Sequence, residues 1–192
     1  MKQHARTTVG LLIFVLVGGV SANAQRLSAP SPSVALPHDP DHADKAATWC
    51  ALHVGRRELA HALSDCNYAV AANPDNAIAF ANRGSLYLSY GDTPQALADY
   101  ERALELAPRD ANNHYNRGVA RGLLGQRDRA IVDYTEAISL NPNLAAAYHN
   151  RGREHEDNGD RGKAVADYER ALEIDPKLEP SIRSLKRLRG DL

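Results

Sequence analysis

Near the amino terminus, His38-Asp39-Pro40-Asp41-His42 places two imidazoles and two carboxylates side by side, and both groups are ordinary metal ligands. The run sits in residues 25–42, where Pro30, Pro32, Pro37 and Pro40 remove backbone donors and bias their neighbours towards extended conformations. Such a spacer does not hold ligands in a fixed geometry. The expectation is a solvated linker and no metal site. Cys50 and Cys66 are the only cysteines, too few for a four-cysteine zinc site or a disulfide-built miniprotein. There is no Walker phosphate loop, no G-x-S-x-G, no H-E-x-x-H and no C-x-x-C, so neither an enzyme nor a cofactor is expected.

The whole-chain arithmetic points the same way. The 192 residues carry 23 Lys+Arg against 24 Asp+Glu and only 6% aromatics. That balance gives no field to gather nucleic acid and no aromatic platform for stacking bases. Lys2, His4 and Arg6 precede an uncharged stretch over residues 7–20, followed by Ser21-Ala22-Asn23-Ala24. A positive end, a short apolar run and an Ala-x-Ala site make a secretory leader, residues 1–24, cleaved after Ala24. The run falls short of the roughly 20 apolar residues a membrane-spanning helix needs. The mature chain is therefore expected outside the cytoplasm, periplasmic or extracellular, without a transmembrane segment.

Positioning any site falls to the rest of the chain, which repeats itself. Residues 77–110, 111–144 and 145–178 align without gaps at a period of 34 residues. Among the identities are Asn82/Asn116/Asn150, Arg83/Arg117/Arg151, Gly84/Gly118/Gly152, Gly91/Gly125/Gly159, Asp99/Asp133/Asp167, Tyr100/Tyr134/Tyr168 and Pro108/Pro142/Pro176. A fixed period of this length is the signature of a solenoid. Within a unit, Phe80, Gly84 and Tyr87 share one helical face. Gly91 ends that helix in the left-handed conformation. Thr93-Pro94 reads as a cap and first helical residue. The second helix buries Ala96, Leu97, Tyr100, Ala103 and Leu104, and Pro108 closes it. Small residues at Gly84, Ala96 and Ala103 let the two axes approach closely.

Phe80, Gly84, Tyr87, Ala96, Tyr100, Ala103 and Pro108 match the consensus of the tetratricopeptide repeat family, which this chain resembles. The second unit departs at His114 and Arg121 and the third at His155. Residues 43–76 resemble a degenerate first unit that keeps Ala62, Leu63, Asp65, Ala69 and Pro74, with Trp49 and Cys50 where other units have Arg and Gly. Ile182, Leu185 and Leu188 would let residues 179–192 cap the last repeat. The implied fold is an all-α solenoid of antiparallel helix pairs with a C-terminal capping helix.

In that frame Cys50 and Cys66 fall where the other units place Gly and Tyr. In an antiparallel pair these places face each other at the same height, with Cα atoms roughly 4–5 Å apart. In an oxidising compartment that predicts a disulfide; two buried free thiols are the alternative. The resemblance implies a concave groove lined by the first helix of each unit, with Asn82, Ser85, Asn112, Tyr115, Asn116, Val119, His149, Asn150 and Arg153 as its binding residues. An amide both donates to and accepts from an extended peptide backbone, although the asparagines could equally serve the scaffold. The lysines with which chaperone-docking members hold a terminal carboxylate are absent. The Arg and Asp series are expected to pair within or between repeats.

The expected function is non-catalytic binding of a protein or peptide in the cell envelope or outside the cell. One alternative is a structural subunit using the convex face and the basic helix with Arg183, Lys186, Arg187 and Arg189. A metal-binding or enzymatic role is the other.

Overall fold

The computed structural model describes Thr48, Cys50 and residues 59–190. The leader, the linker with residues 38–42, and Trp49 lie outside the described residues. Among the described residues there are helices and turns and no strand. The helices are α1 (Leu59–Ala72), α2 (Ala77–Tyr90), α3 (Thr93–Leu106), α4 (Ala111–Leu123), α5 (Arg127–Leu140), α6 (Ala145–Asp157), α7 (Arg161–Ile174) and α8 (Glu179–Arg189). Thr48 and Cys50 are helical as well.

Each unit turns where its sequence demands. Gly91, Gly125 and Gly159 have φ of 79°, 73° and 82°, a conformation that costs a side-chain-bearing residue steric strain and glycine nothing. At the end of α2 the Gly91 N–H donates to the Leu88 carbonyl and Asp92 N–H to that of Tyr87. α3 begins one residue earlier than the Thr-Pro pair suggests. Thr93 is already helical and Asp92 flanks it, with no side-chain cap bond. Proline in the first turn, whose N–H would be unpaired anyway, is sufficient to start it.

The pair is locked by tyrosine on glycine. Tyr100, Tyr134 and Tyr168 are fully buried. Their rings lie so close to Gly84, Gly118 and Gly152 that a Cβ added there would stand 3.1, 2.7 and 3.0 Å from the ring. In the first unit Cys50 and Cys66 occupy the same two places, and their Cα atoms are 4.9 Å apart, at disulfide distance. Leu86 of α2 packs onto that pair together with Ala62.

Successive pairs stack in order, and the first helices of neighbouring units also touch, α2 with α4 and α4 with α6. Those first helices therefore form the inner surface and the second helices the outer one. At the far end Leu185 of α8 is buried with Ala164 and Tyr168, and Leu188 packs beside them. The amphipathic α8 thus covers the last pair, as a terminal repeat requires.

Candidate protein-binding groove

The inner helices are held in place by a buried ionic series. Arg83, Arg117 and Arg151 each donate to the carboxylate sixteen residues on, at 2.7 Å to Asp99, Asp133 and Asp167. The same arginines or a neighbour reach into the preceding unit: Arg83 to Asn67, Arg151 to Thr135, and Arg121 to Glu101. The pairs therefore tie the helices within a unit, and their second bonds tie unit to unit. Asp133 carries the most, since Arg121 as well as Arg117 donates to it, at 2.9 Å, and only 1% of its side chain is exposed. Charge pairs this enclosed serve the scaffold and not an open groove wall.

On the inner surface the expected binding residues separate into two sets. Ser85, Tyr115, Val119 and Asn116 are buried, whereas Asn82, Asn112, His149, Asn150 and Arg153 are half-buried. Ser85 hydrogen-bonds the Tyr100 hydroxyl at 3.0 Å. Asn150 donates to the Tyr115 hydroxyl at 3.0 Å. Arg153 donates to Glu154 at 3.0 Å, and that carboxylate sits where Gly122 leaves room for it. His149 places Nδ1 2.9 Å from Ser181 Oγ of α8 and its ring beside Tyr168. Burial, and then the charges of Arg153 and Arg183, lower the His149 pKa to about 4. These contacts commit the carboxyl-terminal part of the groove to its own packing.

The amino-terminal part is different. Between the starts of α2 and α4 lies a cavity of about 590 Å³. Asn82, Ser85, Asn112 and Asn116 come together there, along with Asn113, Asp110 and Ile78. The side-chain amides of Asn82, Asn112, Asn113 and Asn116 have no hydrogen-bond partner among the described residues. Asn113 and Asn116 are only 4% and 9% exposed, yet neither has a sealed polar atom of the kind seen at the Tyr134 hydroxyl. Both residues line the cavity. A buried polar group normally finds a partner, and four free carboxamides around one hollow form a surface that can donate and accept together.

Residues 77–110, 111–144 and 145–178, more than half of the chain, match the family of the tetratricopeptide repeat. The chain belongs to that family. Comparison with curated proteins finds no match. Solved structures share the fold. A crystal structure of MamA superimposes with a TM-score of 0.71 at 21% identity over 79% of this chain and 85% of that one. PilF of Pseudomonas aeruginosa gives 0.72 at 18% identity, over 79% and 69%. The first tetratricopeptide domain of Spaghetti (RPAP3), bound to the HSP90 peptide SRMEEVD, gives 0.58 at 25% identity, over 60% and 91%.

Tetratricopeptide repeat proteins are generally non-catalytic scaffolds that bind proteins or peptides. Within that family the departures of this chain acquire physical roles. Arg121 replaces the consensus tyrosine and becomes the link from Asp133 to Glu101. His114 keeps the aromatic shape and puts Nε2 2.9 Å from the Pro108 carbonyl. Asn113 was not among the residues expected from the sequence, because its place in the other units belongs to the buried Ala79 and Ala147. That contrast, Asn where the fold accepts Ala, was the available signal.

Among the described residues no helix is long and apolar enough to cross a membrane, and no group of three or more His, Cys, Asp or Glu is placed to hold a metal.

Proposed function

We propose that this protein is an exported, non-catalytic scaffold that holds an extended segment of a protein or peptide partner on its concave face. The observation that carries the reading is the set of four side-chain amides around the cavity between α2 and α4 that have no partner among the described residues. A peptide in extended form exposes alternating N–H and C=O groups, which such amides complement on both counts. Asn82 and Asn116 are then the binding members of the asparagine series, with Asn112 and Asn113 beside them.

Export is part of the proposal. It rests on the leader in residues 1–24, ahead of a linker over 25–42 and the array over 43–178. The placement of Cys50 and Cys66 at disulfide distance suits an oxidising compartment, and we propose that the bond forms there. Amino-terminal sequencing of the processed protein should begin at Gln25.

A second reading, a structural subunit of an envelope complex, draws on the other surface. Val132 is 66% exposed on α5, and Arg183 and Lys186 of α8 form no ion pair among the described residues. Photo-cross-linking in the native cell separates the two. A photoreactive residue at Asn112 should trap a partner and one at Val132 should not. The reverse pattern would replace the groove by the outer face.

A further inference from the structure

We infer that the cavity between α2 and α4 is a subsite for a basic side chain, arginine above all, of the segment bound in the groove. The inference rests on the groove reading and adds the chemistry of what is recognised. Among the described residues its charged lining consists of Asp75 and Asp110, with no Lys, Arg or His. The two helix starts that face the hollow would ordinarily favour an anion, but two first-turn donors of each are already taken. Asn76 Oδ1 accepts from Ile78 and Ala79 N–H, and Asp110 Oδ1 accepts from Asn112 and Asn113 N–H. An incoming carboxylate would therefore meet capped amides and two like charges. The second oxygen of Asp110 makes no bond among the described residues.

A guanidinium fits what remains. It carries five N–H donors in a rigid plane and no acceptor. The carboxamide oxygens of Asn113 and Asn116 and the carboxylate of Asp110 supply acceptors around the same hollow. Ile78, Ala81 and Ala107 give the walls an apolar surface against which the methylene stem can lie. Asp75 stands at the rim, 82% exposed and 3.5 Å from Arg102, so its charge is partly answered and Asp110 is the main electrostatic determinant. Asn113 matters because its place needs no polar group for folding: Ala79 and Ala147 fill it in the neighbouring units and are fully buried.

The test uses blocked amino acids that mimic a residue within a chain. N-acetylarginine amide, N-acetylglutamine amide and N-acetylglutamate amide are titrated into the labelled protein while the side-chain NH2 resonances of Asn113 and Asn116 are followed by NMR. The arginine compound should shift both saturably and bind about fivefold more tightly than the glutamine compound, and the glutamate compound should leave both unmoved. Asp110→Asn keeps a residue that caps helices well and removes the charge, so it should bring arginine down to the glutamine level with an unchanged thermal melt. Asp75→Asn, a rim change with no capping role, should give a smaller loss and stands in if the first variant does not fold. Glutamine or glutamate binding as tightly as arginine would overturn the cationic assignment while leaving the cavity a binding site. Failure of every compound to shift these resonances would overturn the subsite itself. The groove reading then stands or falls separately on whether a partner is trapped from Asn112.

Discussion

Asn150 donates to the Tyr115 hydroxyl at 3.0 Å, across the boundary between two repeats. Its counterparts Asn82 and Asn116 have no partner among the described residues. One repeated residue thus has two uses, decided by what the neighbouring unit offers. Tyr115 is itself buried, and burial pushes its pKa up to about 12, so the hydroxyl stays neutral and available. Asn150→Ala should cost about 1 kcal/mol of stability, whereas Asn116→Ala should change the urea midpoint little. Equal losses for both would assign Asn116 to the scaffold.

Asp133 receives two guanidinium groups and is almost completely enclosed. Asp133→Ala would leave Arg117 and Arg121 without their common carboxylate. Breaking a buried pair in this way costs about 3–5 kcal/mol, and the loss should exceed that of Asp99→Ala, which strands Arg83 alone. Chemical denaturation of the two variants checks the order.

His149 makes the array sensitive to acid. Its pKa is lowered to about 4 by burial, with Arg153 and Arg183 adding to the effect. The unfolded chain, with an ordinary histidine pKa of about 6.5, binds the proton first as pH falls. This contribution to stability is therefore complete above about pH 6.5 and is lost progressively down to about pH 4, amounting to no more than about 3 kcal/mol. His149→Gln should flatten that part of the profile. A pH dependence unchanged by the substitution would remove His149 as its source.

The Cys50–Cys66 pair joins residues sixteen apart in the sequence. Closing a loop of that length stabilises by roughly 3 kcal/mol, in the one unit that lacks the glycine–tyrosine contact. Mass spectrometry after alkylation without reduction should find neither thiol modified in exported protein, and reduction should lower the melting temperature. Two alkylated cysteines would rule the bond out.

Much of this architecture is readable from the sequence because its determinants are local and recur. Gly91, Gly125 and Gly159 mark the turns, and each Gly–Tyr pair marks a helix contact. Cys50 and Cys66 stand at disulfide distance because they inherit the places of such a pair. What the period cannot show is occupancy by neighbours. Ser85, Tyr115 and Val119 belong to the inner helices but are buried, since adjacent inner helices and the tyrosines below them close over those places. His149 is engaged because α8 arrives with Ser181 opposite it, a polar residue at the place, one period on, that the preceding unit gives to the buried Ala147. Asn113 shows the opposite case: the family pattern assigns its place to the core, and its contrast with Ala79 and Ala147 gains meaning from the cavity that it lines.

The central claim is that a partner lies on the amides of Asn82 and Asn116. Calorimetric titration of the partner trapped from Asn112 into the wild-type protein and into the Asn82→Ala, Asn116→Ala double variant tests it most directly. The double variant should lose affinity about tenfold or more, as expected for two lost hydrogen-bonding groups, with a melting curve that overlays the wild type. Unchanged affinity in a folded double variant would contradict it.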